Sequence, residues 1–323
     1  MWTLLWLAAC NNDYGVAIVP ETIQAPENPP QLGATIIEDV LRQRIPEAVD
    51  ILWVIDNSNS MLAEQQKLGE NFPAFLDYYL NSGLDWQIGV VSTDLQDPAQ
   101  SGKLQGAAGF LWADPSVPDP AGVFSRMALL GRGGSSKEQG RGAAWAALTP
   151  PLLETTNAGF YRPSARLSVI VVSDEQDFSD DLSVNTFIDW YLHLKPDPSM
   201  VDFSAIISMD PACNDGRMGT DYLPIVHATG GSAFSICEDD WTPILAALGI
   251  RAAGLQREFF LTEVPDPSTL SVWIDDEEVR YDFVPETDFV YDGDHNSINF
   301  TRYTPRATAY IHIQYATAVS SHQ

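Results

Sequence analysis

The segment Asp56-Asn57-Ser58-Asn59-Ser60 sets one carboxylate and two hydroxyls at one-residue gaps. Oxygens spaced this way can curl round a hard cation. Magnesium wants about six oxygens in an octahedron and keeps some of them as water, so a few protein oxygens suffice. The segment follows an apolar run, Asp50 to Ile55, and precedes a helical pattern. Asp56, Ser58 and Ser60 therefore share one strand-to-helix loop. A second apolar run, Leu167 to Val172, ends in Ser173-Asp174. If the two runs are neighbouring strands, Asp56 and Asp174 come within reach of one ion. On spacing alone the competing reading is a helix N-cap made by Ser58 or Ser60. The acidic run from Asp174 to Asp181 reads, by itself, as a solvated loop.

The elements that must hold these residues are legible as an alternation. Asp50–Ile55, Trp86–Ser92, Leu167–Val172, Val201–Ser208 and Ser232–Ile236 are apolar runs, the pattern of strands buried on both faces. Between them, Leu68, Phe72, Phe75, Leu76, Tyr79 and Leu80 fall on one helical face, where Pro73 predicts a kink or restart. Further helices are expected over Gly142–Leu148, Ser183–Leu194 and Trp241–Leu248. Strands alternating with helices define an α/β fold, a Rossmann-like, mostly parallel sheet with helices on both faces. Ligands in such sheets bind beyond the carboxyl ends of the strands. From about Glu258 the pattern changes to short β-like segments: Phe259–Thr262, Thr269–Ile274, Val279–Phe283, Ser297–Thr301 and Ala309–Tyr315. These predict a small antiparallel, sandwich-like β-domain. Asp292-Gly293-Asp294-His295-Asn296 opens like a calcium loop but has Ser297 where the sixth-position Gly belongs and Tyr303 at the twelfth, so a hairpin turn is expected.

Composition narrows the partners. The chain has 323 residues and a net charge of -27, from 44 Asp+Glu against 17 Lys+Arg. Nucleic acid is a poor partner for such a surface, because phosphate binding needs cations. Met1 to Ala9 are nearly all apolar, like the core of an export signal. Leu7-Ala8-Ala9-Cys10 resembles a bacterial lipobox, which implies cleavage before Cys10 and a lipid on its sulfur. Asn11 after the Cys implies the outer membrane. Residues 11–35 carry Pro20, Pro26, Pro29 and Pro30 and read as a stiff tether. The expected division is therefore a signal over 1–10, the tether over 11–35, an α/β domain over 36–253 and the β-domain over 254–323. In an oxidising compartment Cys213 and Cys237 can pair as a disulfide; otherwise they are free thiols.

With these residues in view, Asp-x-Ser-x-Ser after an apolar strand resembles the metal-ion-dependent adhesion site of von Willebrand factor type A domains. Ser173-Asp174 is similar to that family's final metal aspartate. The resemblance extends over roughly 36–253 and implies a Rossmann-like sheet with an antiparallel edge strand. It also implies a divalent cation, Mg2+ or else Mn2+ or Ca2+, whose shell is completed by an Asp or Glu carboxylate of a partner protein. One subgroup, bacterial lipoproteins carrying this domain, is resembled through Asp50-Ile51-Leu52-Trp53-Val54-Ile55-Asp56-Asn57-Ser58, Ile88-Gly89-Val90-Val91-Ser92-Thr93-Asp94, Glu138-Gln139-Gly140, Asn157-Ala158-Gly159-Phe160 and Val172-Ser173-Asp174-Glu175.

Two departures from the family stand out. It supplies a Thr from the loop before the middle helix, whereas this loop reads Gly133-Gly134-Ser135-Ser136-Lys137-Glu138. Ser135 or Ser136 can supply a hydroxyl there, or Glu138 a carboxylate. Glu175 stands where many relatives have Gly, and with Asp177, Asp180 and Asp181 it makes the rim acidic. That charge favours a cation and opposes an incoming carboxylate. Thr93 and Asp94 end a strand on the same edge, beside the ion rather than on it.

Enzyme readings lack their residues: there is no nucleophile elbow, zinc-protease helix or phosphate loop. An aspartyl-phosphate phosphatase would need an acid two residues after Asp56, where Ser58 stands. The sequence thus predicts a non-enzymatic, lipid-anchored binding or adhesion module at the bacterial outer membrane or cell surface, or on its periplasmic face. The alternative is an envelope scaffold whose ion only holds loops together.

Overall fold

The computed structural model describes residues 35–42, 46–210, 218–255, 257–276, 279–301, 305 and 309–317. The signal, Cys10, all but the last residue of the tether, and Cys213 lie outside the described residues. In chain order the strands are β1 (Ile36–Arg42), β2 (Ala48–Ile55), β3 (Asp85–Ser92), β4 (Arg166–Ser173), β5 (Val201–Ile207), β6 (Ala233–Ser235), β7 (Glu258–Phe260), β8 (Ser271–Asp276), β9 (Val279–Phe283), β10 (Phe289–Asp292), β11 (Ser297–Phe300) and β12 (Tyr310–Ala316). The α-helices are α1 (Leu62–Ser82), α2 (Pro120–Ala128), α3 (Gly140–Ala147), α4 (Val184–Leu192), α5 (Leu223–Thr229) and α6 (Thr242–Ala252). Two compact units result, one of Pro46–Gly254 and the other of the segments on either side of it.

The Pro46–Gly254 unit is a Rossmann-like α/β fold. Its five strands are all parallel, in the order β3-β2-β4-β5-β6. The central strands carry side chains that are buried in both directions, which is why they read as unbroken apolar runs. Alternate residues of β2 serve opposite faces. Leu52 and Val54 join a core with Ala143 and Ala144 of α3, Phe187 and Tyr191 of α4 and Ile225 of α5. Trp53 points the other way and meets Phe72 and Phe75 of α1 and Phe124 of α2, with ring centroids 5.2–6.1 Å apart. The antiparallel edge strand implied by the resemblance is reduced, among the described residues, to one bridge, Ile88 with Ala113, beside β3.

Two expectations about this unit change. Pro73 neither breaks nor restarts α1, which runs continuously through it. Pro73 lacks the N–H that would have bonded the Gly69 carbonyl. Ser125 of α2 donates its hydroxyl to that carbonyl instead, at 2.8 Å, so the missing donor is replaced from the neighbouring helix. The unit also begins at Pro46, not at residue 36. Strand β1 pairs antiparallel with β12, from Ile36 opposite Ala316 to Arg42 opposite Tyr310. It therefore belongs to the β-unit.

That β-unit has two antiparallel sheets, β1-β12-β8-β9 and β10-β11-β7. Leu41, Val272, Ile274, Ile311 and Ile313 from one sheet and Phe259, Phe289, Ile298 and Phe300 from the other form a common core. This is the sandwich-like arrangement expected from the tail, with a strand added from before the α/β unit. Strands β10 and β11 are joined as a hairpin across Asp292–Ser297, as read from the sequence. Among the described residues no helix is long and apolar enough to cross a membrane.

Candidate metal centre

The carboxyl ends of β2 and β4 lie side by side, with Ile55 opposite Val172. The Asp56 amide continues that pairing by donating to the Val172 carbonyl at 2.9 Å. Asp56 and Asp174 thus emerge from adjacent strands, and the charge of Asp174 is among the causes that raise the Asp56 carboxyl. Asp56 is fully buried. Its Oδ1 accepts the Ser58 amide at 2.7 Å and its Oδ2 the Ser173 hydroxyl at 2.7 Å. Ser58, nearly buried, shares a hydrogen bond of 3.2 Å with the exposed Ser60 hydroxyl. The loop therefore orders one carboxylate and two hydroxyls from the interior to the surface. Neither serine caps α1, whose N-terminus has no side-chain cap.

Glu138, at the end of the loop before α3, is also fully buried. Its backbone is held by the Phe178 amide, which donates to the Glu138 carbonyl at 2.7 Å. The Thr93 hydroxyl donates to Glu138 Oε2. Oε1 has no hydrogen-bond donor. The Glu138 carboxyl lies within hydrogen-bonding range of Asp56 and feels Glu175. Ser135 sits differently. Its amide donates to Asp94 Oδ2 at 3.0 Å and its hydroxyl accepts the Lys137 amide at 2.9 Å, so it closes the loop on Asp94. Ser136 is exposed. Of the three candidates on this loop, Glu138 is the one brought against Asp56. Asp94 serves the loops, accepting from Gln96 and Asp97 amides at 2.7 and 3.1 Å.

The acidic segment after β4 is not a solvated loop at its start. Asp174, Glu175 and Asp177 are buried, and only Asp180 and Asp181 of the acids are exposed. Asp177 accepts the Arg141 amide at 2.7 Å and faces its guanidinium at 3.3 Å. A buried carboxylate needs such a partner, and the i-to-i pattern of the sequence could not show that α3 supplies it.

Gln65, on the buried face of α1, went unnoticed in the sequence. Its amide nitrogen donates to the Asp56 and Gly131 carbonyls, each at 2.9 Å, and its oxygen accepts the Gly131 amide at 3.0 Å. It ties the Asp56 loop to the loop that carries Ser135 and Glu138. The signal was a polar residue on the same helical face as Leu68 and Phe72. Asn57 is tied similarly, to Ser92 and Gln100 at 2.9 Å each, and a side chain at Gly134 would run into its amide.

Burial pushes the Asp56 carboxyl up to about 6, against the hydrogen bonds from Ser173 and Ser58 that favour the ion. Burial, and then the charge of Asp56, pushes Glu138 up to about 9. What lowers either is hydroxyl and amide donation. Buried like-charged carboxyls in contact, one with an oxygen lacking any donor, are suited to a cation: the donor set is all hard oxygen, as Mg2+, Mn2+ or Ca2+ requires.

A second group of donors lies in the β-unit. Glu258, Asp292 and His295 offer atoms within 4.8 Å of one another. The His295 ring already sits 3.3 Å from Glu258 and 3.2 Å from Asp292, and it is exposed. This is a surface ion-pair cluster at a hairpin.

No family model matches the chain, and no curated protein does. Solved structures do resemble it at low identity. A von Willebrand factor type A protein from Catenulispora acidiphila is 10% identical with a TM-score of 0.37, over 89% of this chain and 67% of that one. The pilus adhesin SpaC from Lactobacillus rhamnosus GG, in its open conformation, is 11% identical with a TM-score of 0.43, over 94% of this chain and 44% of that one. Proximal thread matrix protein 1 from the mussel byssus is 14% identical with a TM-score of 0.41, over 69% of this chain and 51% of that one. This chain therefore spans about half the length or less of the last two.

Proposed function

We propose that the α/β unit is a cation-dependent binding module. Asp56, Ser58, Ser60 and Asp174 would hold a divalent ion, Mg2+ or else Mn2+ or Ca2+, at the carboxyl edge of the sheet. A partner protein would engage that ion through an Asp or Glu side chain. The observation that carries this reading is the convergence of Asp56 and Asp174, from adjacent parallel strands, on a loop that runs outward through Ser58 to the exposed Ser60. The export-like segment 1–10, with Cys10 as lipid carrier, and the proline-bearing tether support a role on the bacterial outer membrane or cell surface, where a tethered binding module can reach a partner. Cys237 is not a free thiol, which supports a Cys213–Cys237 bridge in an oxidising compartment; thiol counting under denaturing conditions checks it.

The test is a thermal melt of the purified chain in Mg2+, Mn2+, Ca2+ or EDTA, beside Asp56→Ala. An ion bound only by the native state at about 100 times its dissociation constant stabilises by roughly 2.7 kcal/mol. For a unit of this size that is a shift of about 5–10 °C. The wild type is expected to shift and the variant not to. Equal melts in millimolar metal and in EDTA would remove the metal, and with it the carboxylate-bridged partner.

A further inference from the structure

Among the described residues, Glu258, Asp292 and His295 of the β-unit are the one set of acid and imidazole groups whose ligand atoms lie within 4.8 Å of one another. Strand pairing brings them together. Glu258 of β7 lies opposite Asn299 of β11, and Asp292 of β10 lies opposite Ser297. Counting in twos along each strand sets Glu258, Asp292, Ser297 and Asn299 on one side of the sheet. The core residues Phe259, Phe289, Ile298 and Phe300 take the other side. His295 stands in the turn that joins β10 to β11.

Each carboxylate is oriented toward the ring. Asp292 Oδ1 accepts the Asp294 and His295 amides, at 2.9 and 3.2 Å, which leaves Oδ2 for the imidazole. Ser297, fully buried, donates its hydroxyl to Glu258 Oε1 at 2.7 Å. Oε1 and Asp292 Oδ2 then converge on the same ring nitrogen, Nδ1 of His295, at 3.3 and 3.2 Å. One N–H can point at only one of the two oxygens. A cation between the three atoms would serve them all. Ligands about 2.0 Å from a tetrahedral ion stand about 3.3 Å apart, close to the spacing of both contacts.

We infer that Glu258, Asp292 and His295 form a second divalent-cation site, of the class filled by Zn2+. An imidazole nitrogen beside two carboxylates suits a borderline ion, whereas Mg2+ and Ca2+ take oxygen. Asp292–Asn296 lacks the later ligands of a calcium loop, and the further carboxylate comes from β7 instead. Three protein ligands leave a fourth position for water or an outside group. The exposure of His295 puts that position within reach of solvent. The ion would tie the β10–β11 turn to β7, cross-linking a sheet whose strands are only three or four residues long. The site shares no residue with the one proposed at Asp56.

The probe is Zn2+, titrated calorimetrically into the purified metal-free chain carrying Asp56→Ala, so that the α/β unit's proposed ion does not contribute. Wild type in excess Mg2+ is the second background, should Asp56→Ala fold poorly. His295→Ala and Asp292→Asn are each added to both. Asn keeps the oxygen that accepts the two turn amides, and metal-free melting temperatures report folding. Uptake of one Zn2+ per chain is expected. Either variant should weaken it at least about tenfold, since outer-shell losses alone cost about 10–100-fold. Co2+ in place of Zn2+ should show the intense visible absorption of a four-coordinate ion, and His295→Ala should abolish it.

No Zn2+ uptake, or uptake with the same affinity in both variants, would overturn the inference and leave the three groups as ion pairs only. Displacement of the Zn2+ by Mg2+ would overturn it too. Each of these results leaves the Asp56 site standing, and failure of the Asp56 site leaves this one.

Discussion

Gln65 offers the sharpest test of how the site is held, because it is buried on α1 and yet makes its hydrogen bonds to two loops. Gln65→Met keeps the length and approximate volume and removes all three bonds. The Asp56 carbonyl is buried, so losing its donor costs about 1–3 kcal/mol. The two bonds to Gly131 are partly exposed, and water can replace them in part, at about 0.5–1 kcal/mol each. The sum is near 3 kcal/mol, some of it offset by the thioether's preference for a dry position. For a unit of about 210 residues this lowers the melting temperature by about 6–12 °C. Gln66→Met is the control: its side chain is exposed on the same helix, and such changes stay within about 0.5 kcal/mol. Calorimetric melts in EDTA and in saturating Mg2+ measure both. Because the Asp56 loop is released from the Gly131 loop, the Mg2+-induced shift should also shrink for Gln65→Met. If Gln65→Met melts within 2 °C of Gln66→Met, the three bonds do not hold the loops together and the account of the site's rigidity is wrong.

Two further outcomes are expected. Without metal, Asp56 and Glu138 keep protons in the folded chain that unfolded carboxyls release near pH 4. Raised folded-state values favour the native state below that pH and lose the advantage as pH climbs towards about 6 for Asp56 and about 9 for Glu138. Urea midpoints in EDTA should therefore fall from pH 5 to 8 and fall less for Glu138→Gln; an equal slope in that variant would show that Glu138 does not contribute. In the core, Trp53→Ala empties a fully buried position between Phe72, Phe75 and Phe124 and should cost about 3–5 kcal/mol. A urea titration showing a loss under 1 kcal/mol would mean that this face repacks.

What the sequence made legible follows its physics. Strands β2, β4 and β5 are buried on both faces, and no pattern of polar residues interrupts them, so their runs and ends were plain. Asp56 and Asp174 follow directly, since each is the first residue past a strand end. Helices α2 and α5 are short, begin near Pro120 and Pro224, and carry too few turns for a periodic face. Pro73 misled because its cure, the Ser125 hydroxyl, comes from 52 residues later in the chain, which no local rule can see. Strand β1 was missed for the same reason on a larger scale: its partner β12 lies at the far end of the chain, so a seven-residue stretch beside a tether shows no sign of belonging to a sheet.

The loop choice between Ser135, Ser136 and Glu138 shows why site chemistry is harder to read than fold. All three lie within four residues, and each offers oxygen. What separates them is direction, and direction is imposed from elsewhere. Asp94 captures the Ser135 amide, Gln65 pins Gly131, and Thr93 and Phe178 draw Glu138 inward. Those tethers come from α1, the end of β3 and the loop after β4, so the loop's residue types fix only the menu. The same reasoning explains the acids after β4. Their density reads as solvated, but Arg141 faces Asp177 and turns that part of the run inward, leaving Asp180 and Asp181 at the surface. The net effect is a site whose negative charge lies inside the fold rather than on its rim. Buried charge of one sign favours a cation and disfavours an approaching carboxylate, so the acids at this edge would also set how hard a partner must compete for an ion held there.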